Sequence, residues 1–153
     1  MKKALIIISL GILLLGMGTR SAVSVQFPYQ MKTTDGNAEA AVRSYQFKQL
    51  GDASLDKVAR SMNTSLFWSS TQTNADSDLI SVSGIANYDF MRHPTPFTIT
   101  FRVMNDGRAK VESATLNQSP SSIDRILDVM GQTANHVQRI KQQQAGAQRG
   151  DGS

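Results

Sequence analysis

Cysteine is absent from the 153 residues, which removes disulfide staples, thiol nucleophiles, thiolate metal sites and the lipid-modified cysteine of a bacterial lipoprotein. Stability must come from a hydrophobic core alone. Histidine is scarce: the 2 copies, His93 in Arg92-His93-Pro94 and His136 in a helical stretch, lack partners at metal-ligand spacing, whereas a metal site wants three or four ligands. Neither a metal nor a cofactor is expected. No serine lies in the glycine-flanked nucleophile pattern, because Ser83-Gly84 lacks the second glycine and sits in a strand. A phosphate-cradling loop is missing too, since Gly146, Gly150 and Gly152 belong to the C-terminal tail rather than to a strand-to-helix turn. Arg149-Gly150-Asp151 spells a tripeptide used by some adhesive ligands, but three residues carry too little information to assign a role.

An excess of one charge is also missing once the N-terminus is set aside. The whole chain carries net +4, yet removing Lys2, Lys3 and Arg20 takes its 16 basic residues to 13 against 12 acidic ones. A nearly neutral protein has little electrostatic support for binding a phosphate backbone, so nucleic acid is not an expected partner.

What the N-terminus does have is the grammar of an export signal: Lys2 and Lys3, then an apolar run from Ala4 to Leu15, then the small residues Ala22 and Ser24 at positions −3 and −1 of a cleavage after Ser24. Gly16 and Gly18 offer an earlier cleavage site. Residues 4 to 18 make a run of about 15, short of the ~20 a helix needs to cross the hydrocarbon core. Membrane contact is therefore expected only through the leader, if it is uncleaved. The expected location is periplasmic or secreted.

The remaining ~130 residues suffice for one core. Residues 25 to 40 contain Pro28, Lys32, Asp35 and Gly36 without sustained periodicity, and read as an extended arm or loop. Between Ala38 and Leu50 two readings stay open: Arg43, Tyr45 and Phe47 alternate with Ser44, Gln46 and Lys48 as in a strand, whereas Ala38 to Val42 favour helix. Leu55, Val58, Ala59 and Met62 recur at i, i+3, i+4 and i+7 behind a capping Asp52 or Ser54, which predicts a short amphipathic helix.

Leu66, Phe67 and Trp68 begin a strand, with Thr71 to Asp78 read as a turn or mobile loop. All three apolar residues cannot share one face, so either Phe67 or its two neighbours must point to the other side. Ile80, Val82, Gly84, Ala86, Tyr88 and Phe90 alternate with polar residues interrupted only by Ile85, and Phe97, Ile99, Phe101 and Val103 repeat the period. These two strands are expected to pair through Met91 to Pro96, with Phe90, Tyr88 and Ala86 opposite Phe97, Ile99 and Phe101.

The next register follows from which residues must share a face. A two-residue Asp106-Gly107 loop sets Phe101 against Glu112. A three-residue loop with Gly107 left-handed sets Phe101 against Val111 and Val103 against Ala109, and is preferred. Leu116 does not fit that alternation, which implies a bulge or the strand's end. Ser119-Pro120-Ser121-Ser122 reads as a helix start with Pro120 in the first turn. Ile123, Ile126, Leu127, Met130, Ala134, Val137 and Ile140 then mark the longest helix. From Gln142 to Ser153 there is little to bury, and disorder is expected.

The predicted organisation is a leader at 1–24, an arm at 25–40, a single α+β domain at 41–141 and a tail at 142–153. The domain is an antiparallel sheet of about four strands with a short and a long helix on one face. Two helices cover only one face, which leaves the other, with Asn87, Thr98, Thr100, Arg102 and Glu112, to solvent or to a partner. The expected function is binding of another envelope or extracellular macromolecule, most simply a protein, as accessory subunit or inhibitor and without catalysis. Trp68, Arg92, His93 and Arg102 are the candidate contact residues, because aromatic and arginine side chains dominate binding hot spots and Pro94 and Pro96 stiffen the adjoining loop. Two competing readings are a small exported hydrolase using Asp89 and His93, and a signal-anchored structural protein held by residues 4 to 18.

Overall fold

The computed structural model describes residues 26–33, 37–86 and 93–150. The expected leader, together with Asn87, Asp89 and Arg92, lies outside them.

The open choice at Ala38–Leu50 resolves as helix followed by a tight turn. Helix α1 (Ala38–Ser44) is capped by Asn37, whose Oδ1 accepts from the Ala40 N–H at 2.9 Å. Glu39 and Arg43 pair one turn apart at 3.2 Å, and Ala38, Ala41 and Val42 form the buried stripe. A 3₁₀ turn (Lys48–Leu50) closes at Gly51 with φ 66°, and Phe47 bridges to Ala53. Helix α2 (Leu55–Ser61) is the short helix expected. Ser54 caps it through the Lys57 N–H, and Leu55, Val58, Ala59 and Met62 are buried.

The sheet is antiparallel, with the order β1 (Tyr29–Gln30), β5 (Arg108–Leu116), β4 (Pro96–Met104), β3 (Ser77–Ile85), β2 (Phe67–Asn74), while β6 (Ser119–Pro120) also lies beside β5. Part of the expected arm is thus the edge strand β1. Two expectations about β2 and β3 are corrected. Strand β2 continues through Thr71 to Asn74, leaving only Ala75 and Asp76 as the turn. The β3–β4 register is displaced by six residues: Gly84, Val82 and Ile80, not Phe90, Tyr88 and Ala86, stand opposite Phe97, Ile99 and Phe101. Six is even, so the same alternating set faces the core under either pairing, and periodicity alone could not separate them. Strand β3 also begins three residues before Ile80, directly after the short turn that follows Asn74.

The β4–β5 hairpin has the expected register, Phe101↔Val111 and Val103↔Ala109, with Gly107 at φ 85°. A side chain at Gly107 would run into the carbonyl oxygen of Met31, so both conformation and space require glycine there. The misfit at Leu116 is a bulge: Thr100 pairs with Ser113 and Phe101 with Val111, so Glu112 is the extra residue. This returns Ala114 and Leu116 to the side of Ala109 and Val111, and leaves Glu112 and Ser113 both on the outward side.

Ser119 and Pro120 form β6 and not the first helical turn. Helix α3 (Ile123–Gly150) starts three residues later, with Ser122 Oγ accepting from the Arg125 N–H at 3.2 Å. Ile123, Ile126, Leu127, Met130, Ala134 and Val137 are buried against α2, the 3₁₀ turn and the sheet. The expected disordered end is corrected as far as Gly150, which is helical. Every side chain from Gln138 to Arg149 is exposed, so this extension is propagation of an established helix through good helix formers and is not held by packing.

Candidate functional site

Among the described residues, the helices cover one face of the sheet and leave the other open. On the open face, neighbouring strands align their side chains in rows. One row runs Phe67, Ser83, Thr98, Thr115; the next Ser69, Ser81, Thr100, Ser113; the third Thr71, Leu79, Arg102, Lys110. The first two rows are hydroxyls apart from Phe67. Ser81 and Thr100 share a hydrogen bond of 2.9 Å at the centre.

The third row carries the charge. Arg102 grips Glu112 with two parallel hydrogen bonds, Nε to Oε2 at 3.1 Å and Nη2 to Oε1 at 3.2 Å, the planar fork that guanidinium and carboxylate favour. Lys110 Nζ reaches the same carboxylate at 3.4 Å, and Arg102 Nη1 donates to Ser77 Oγ at 3.4 Å. The Arg102 guanidinium holds the Glu112 carboxyl below the ordinary glutamate value, with Lys110 adding to the effect and partial desolvation opposing it.

The first row ends in apolar surface. Phe67 is 73% exposed, and with Ile85 and Pro96 it borders an apolar depression of about 360 Å³ whose remaining wall includes Ser83 and Thr98. Phe67 and Ile85 break the alternation in the sequence, one in Leu66-Phe67-Trp68 and the other inside β3, where Leu79 of the third row is also apolar. Each is apolar at a position whose parity is polar, and antiparallel pairing of β2 with β3 brings them together.

Of the predicted contact residues that the structure describes, Trp68 and Arg102 face opposite sides of the sheet. Arg102 lies on the open face as expected. Trp68 lies on the opposite, helical face, level with Val82. Its indole Nε1 donates to Asp56 Oδ1 at 3.2 Å, and Arg43 sits 5.0 Å from the ring centroid. Trp68 therefore ties β2 to α1 and α2. His93 is exposed ahead of β4, and Arg92 is outside the described residues, as is Asp89 of the alternative hydrolase reading. Sequence reasoning passed over Phe67 as a contact residue, although the rule that one of the three apolar residues must face away had marked its segment.

The chain matches no protein-family model, no curated protein and no solved structure. Its function has to be argued from this geometry. Among the described residues no cluster of three or more His, Asp or Glu side chains could hold a metal ion, and no helix is long and apolar enough to cross a membrane.

Proposed function

We propose that this is an exported, non-enzymatic binding protein whose open sheet face holds another envelope or extracellular protein, as accessory subunit or inhibitor. The observation that carries the reading is the convergence of Phe67, Ile85 and Pro96 beside a flat field of hydroxyls and an arginine. A partner side chain seated in the depression would exclude water from Phe67, and the surrounding Ser and Thr hydroxyls supply directional hydrogen bonds, which is the composition of an apolar anchor with a polar rim. The face lies on a sheet whose other side is packed, so little ordering is needed on binding. Export is supported by the leader's composition and periplasmic or extracellular location follows from it.

The test is to capture partners from native envelope and culture medium and to measure the affinity of the purified pair. Phe67→Ala is expected to weaken binding by at least about tenfold, the scale of 1.4 kcal/mol, and Arg102→Glu to weaken it through reversed charge. Trp68→Ala should lower stability while leaving affinity unchanged. Affinity that is indifferent to both Phe67→Ala and Arg102→Glu in folded protein refutes the assignment of this face.

A further inference from the structure

The two edges of the sheet are treated differently. Strand β5 is covered at one end by β1, through Tyr29↔Ala109 and Gln30↔Arg108, and at the other by β6, through Thr115↔Pro120 and Leu116↔Ser119. Among the described residues, strand β2 has no such cover. Its 8 residues pair with β3 alone, and among the described residues no backbone–backbone hydrogen bond joins β2 to any other element. Every β2 residue except Trp68 is exposed.

Exposed edges are normally guarded by lysine, proline, inward charge or a bulge, because a row of unpaired N–H and C=O groups is a template for another strand. Strand β2 lacks the first three. Neither a charged residue nor a proline occurs between Arg60 and Asp76, and the one irregularity falls between Gln72 and Asn74, leaving Phe67 to Gln72 regular. Unguarded, regular and polar, this edge is built to be paired.

We infer that β2 pairs antiparallel with β2 of a second copy of this chain about a two-fold axis, joining two sheets into one. Three features select a second copy over a foreign strand. An antiparallel strand pair is isologous, so one edge presented twice is complementary to itself under two-fold symmetry. The uncharged span lets the two copies approach without like-charge repulsion, and offers no charge by which an acidic or basic partner would be chosen. Ser69, Ser70, Thr71 and Gln72 are side chains that hydrogen-bond to their own kind across strands. Directly opposed residues must share a face, so Phe67, Ser69 and Thr71 have to meet one another, which passes the axis through Ser69 or Ser70 and not between them. With the axis at Ser69, Phe67 stands opposite Thr71 of the partner subunit. The inference rests on the edge of β2 and is independent of any ligand on the open face.

The experiment is sedimentation equilibrium on the protein as isolated from its producing cells, over low to high micromolar concentration with no other protein present. A monomer–dimer equilibrium is expected. The double substitution Ser69→Lys with Thr71→Lys places like charges across the axis and should weaken self-association by at least about tenfold, as should Ser69→Glu with Thr71→Glu. Mixing the lysine and glutamate proteins should restore dimers. In the unmodified protein, amide hydrogen exchange within β2 should slow as concentration rises, a readout independent of whether the variants fold. A monomer at every concentration overturns the inference, even if it accepts an extended peptide at this edge. A dimer that is unaffected by the lysines, with exchange in β2 independent of concentration, overturns it equally.

Discussion

Phe101 occupies the centre of the core: it is fully buried, lies between Ile80 and Val111 on neighbouring strands, and its ring centroid stands 6.3 Å from those of Tyr29 and Phe47. Truncation there removes the ring and leaves a cavity that sheet and helices cannot both collapse to fill. Phe101→Ala is therefore expected to cost about 3–5 kcal/mol in denaturant unfolding, and a loss below about 1 kcal/mol, the scale of a surface change, would contradict the burial. On the other face, Glu112 makes a pH prediction. Its folded-state value is depressed, so the Arg102 pair contributes stability at pH above the unfolded glutamate value, and that contribution is lost as pH falls through the lower folded value. The effect on stability is small because water screens the pair. The titration itself is the cleaner readout: carboxyl carbon shifts should place Glu112 below ordinary glutamates, and Arg102→Ala should move it upward. An unmoved titration would mean that the fork does not persist in solution.

Among the elements, α3 is divided by burial along its length. Its buried stripe ends at Val137, and Ile140 is already 37% exposed. Beyond that point the helix touches the body through Lys141 Nζ, 3.4 Å from Asn63 Oδ1. Ending the chain after Lys141 should reduce helical ellipticity in proportion to the residues removed, yet shift unfolding stability by no more than about 0.5 kcal/mol, the range of surface changes. A larger loss would show that the projecting turns pack on something. Strand β5 illustrates the opposite case, an element whose shape depends on one residue: inserting Glu112 lets a strand with two parities of apolar residue serve one core face and present a carboxylate on the other.

At the scale of the whole molecule, the three α-helices and one sheet of the described residues make two layers, and the asymmetry of those layers is the basis of the functional proposals. One sheet face and one sheet edge are left without cover by the described residues, and a polar, nearly charge-balanced surface keeps both compatible with water. The proposed leader belongs to this scale as well, since a cleaved export signal would decide where such surfaces meet a partner. Intact-mass measurement of protein released by osmotic shock should give a chain beginning near Val25, and recovery of Lys2 in the mature protein would refute cleavage.

The local sequence was enough to determine each element whose evidence lies within a few residues. The stripe of α2, the glycine at 107, the core faces of β3 and β4 and the β4–β5 register could all be read because each depends on parity, period or a turn's backbone requirement. The bulge was legible only as a misfit at Leu116. What the tertiary structure alone decided is how distant segments slide and stack. The β3–β4 register shifted by an even number, which parity cannot detect. The helical assignment of Ala38 to Ser44 came from burial of Ala41 and Val42, since its propensities conflicted. Trp68 went to the helical face and Phe67 to the open one because Asp56 and Arg43 wait on the helical side. The sequence required that one of them face away, but the choice between them belongs to contacts made across the fold.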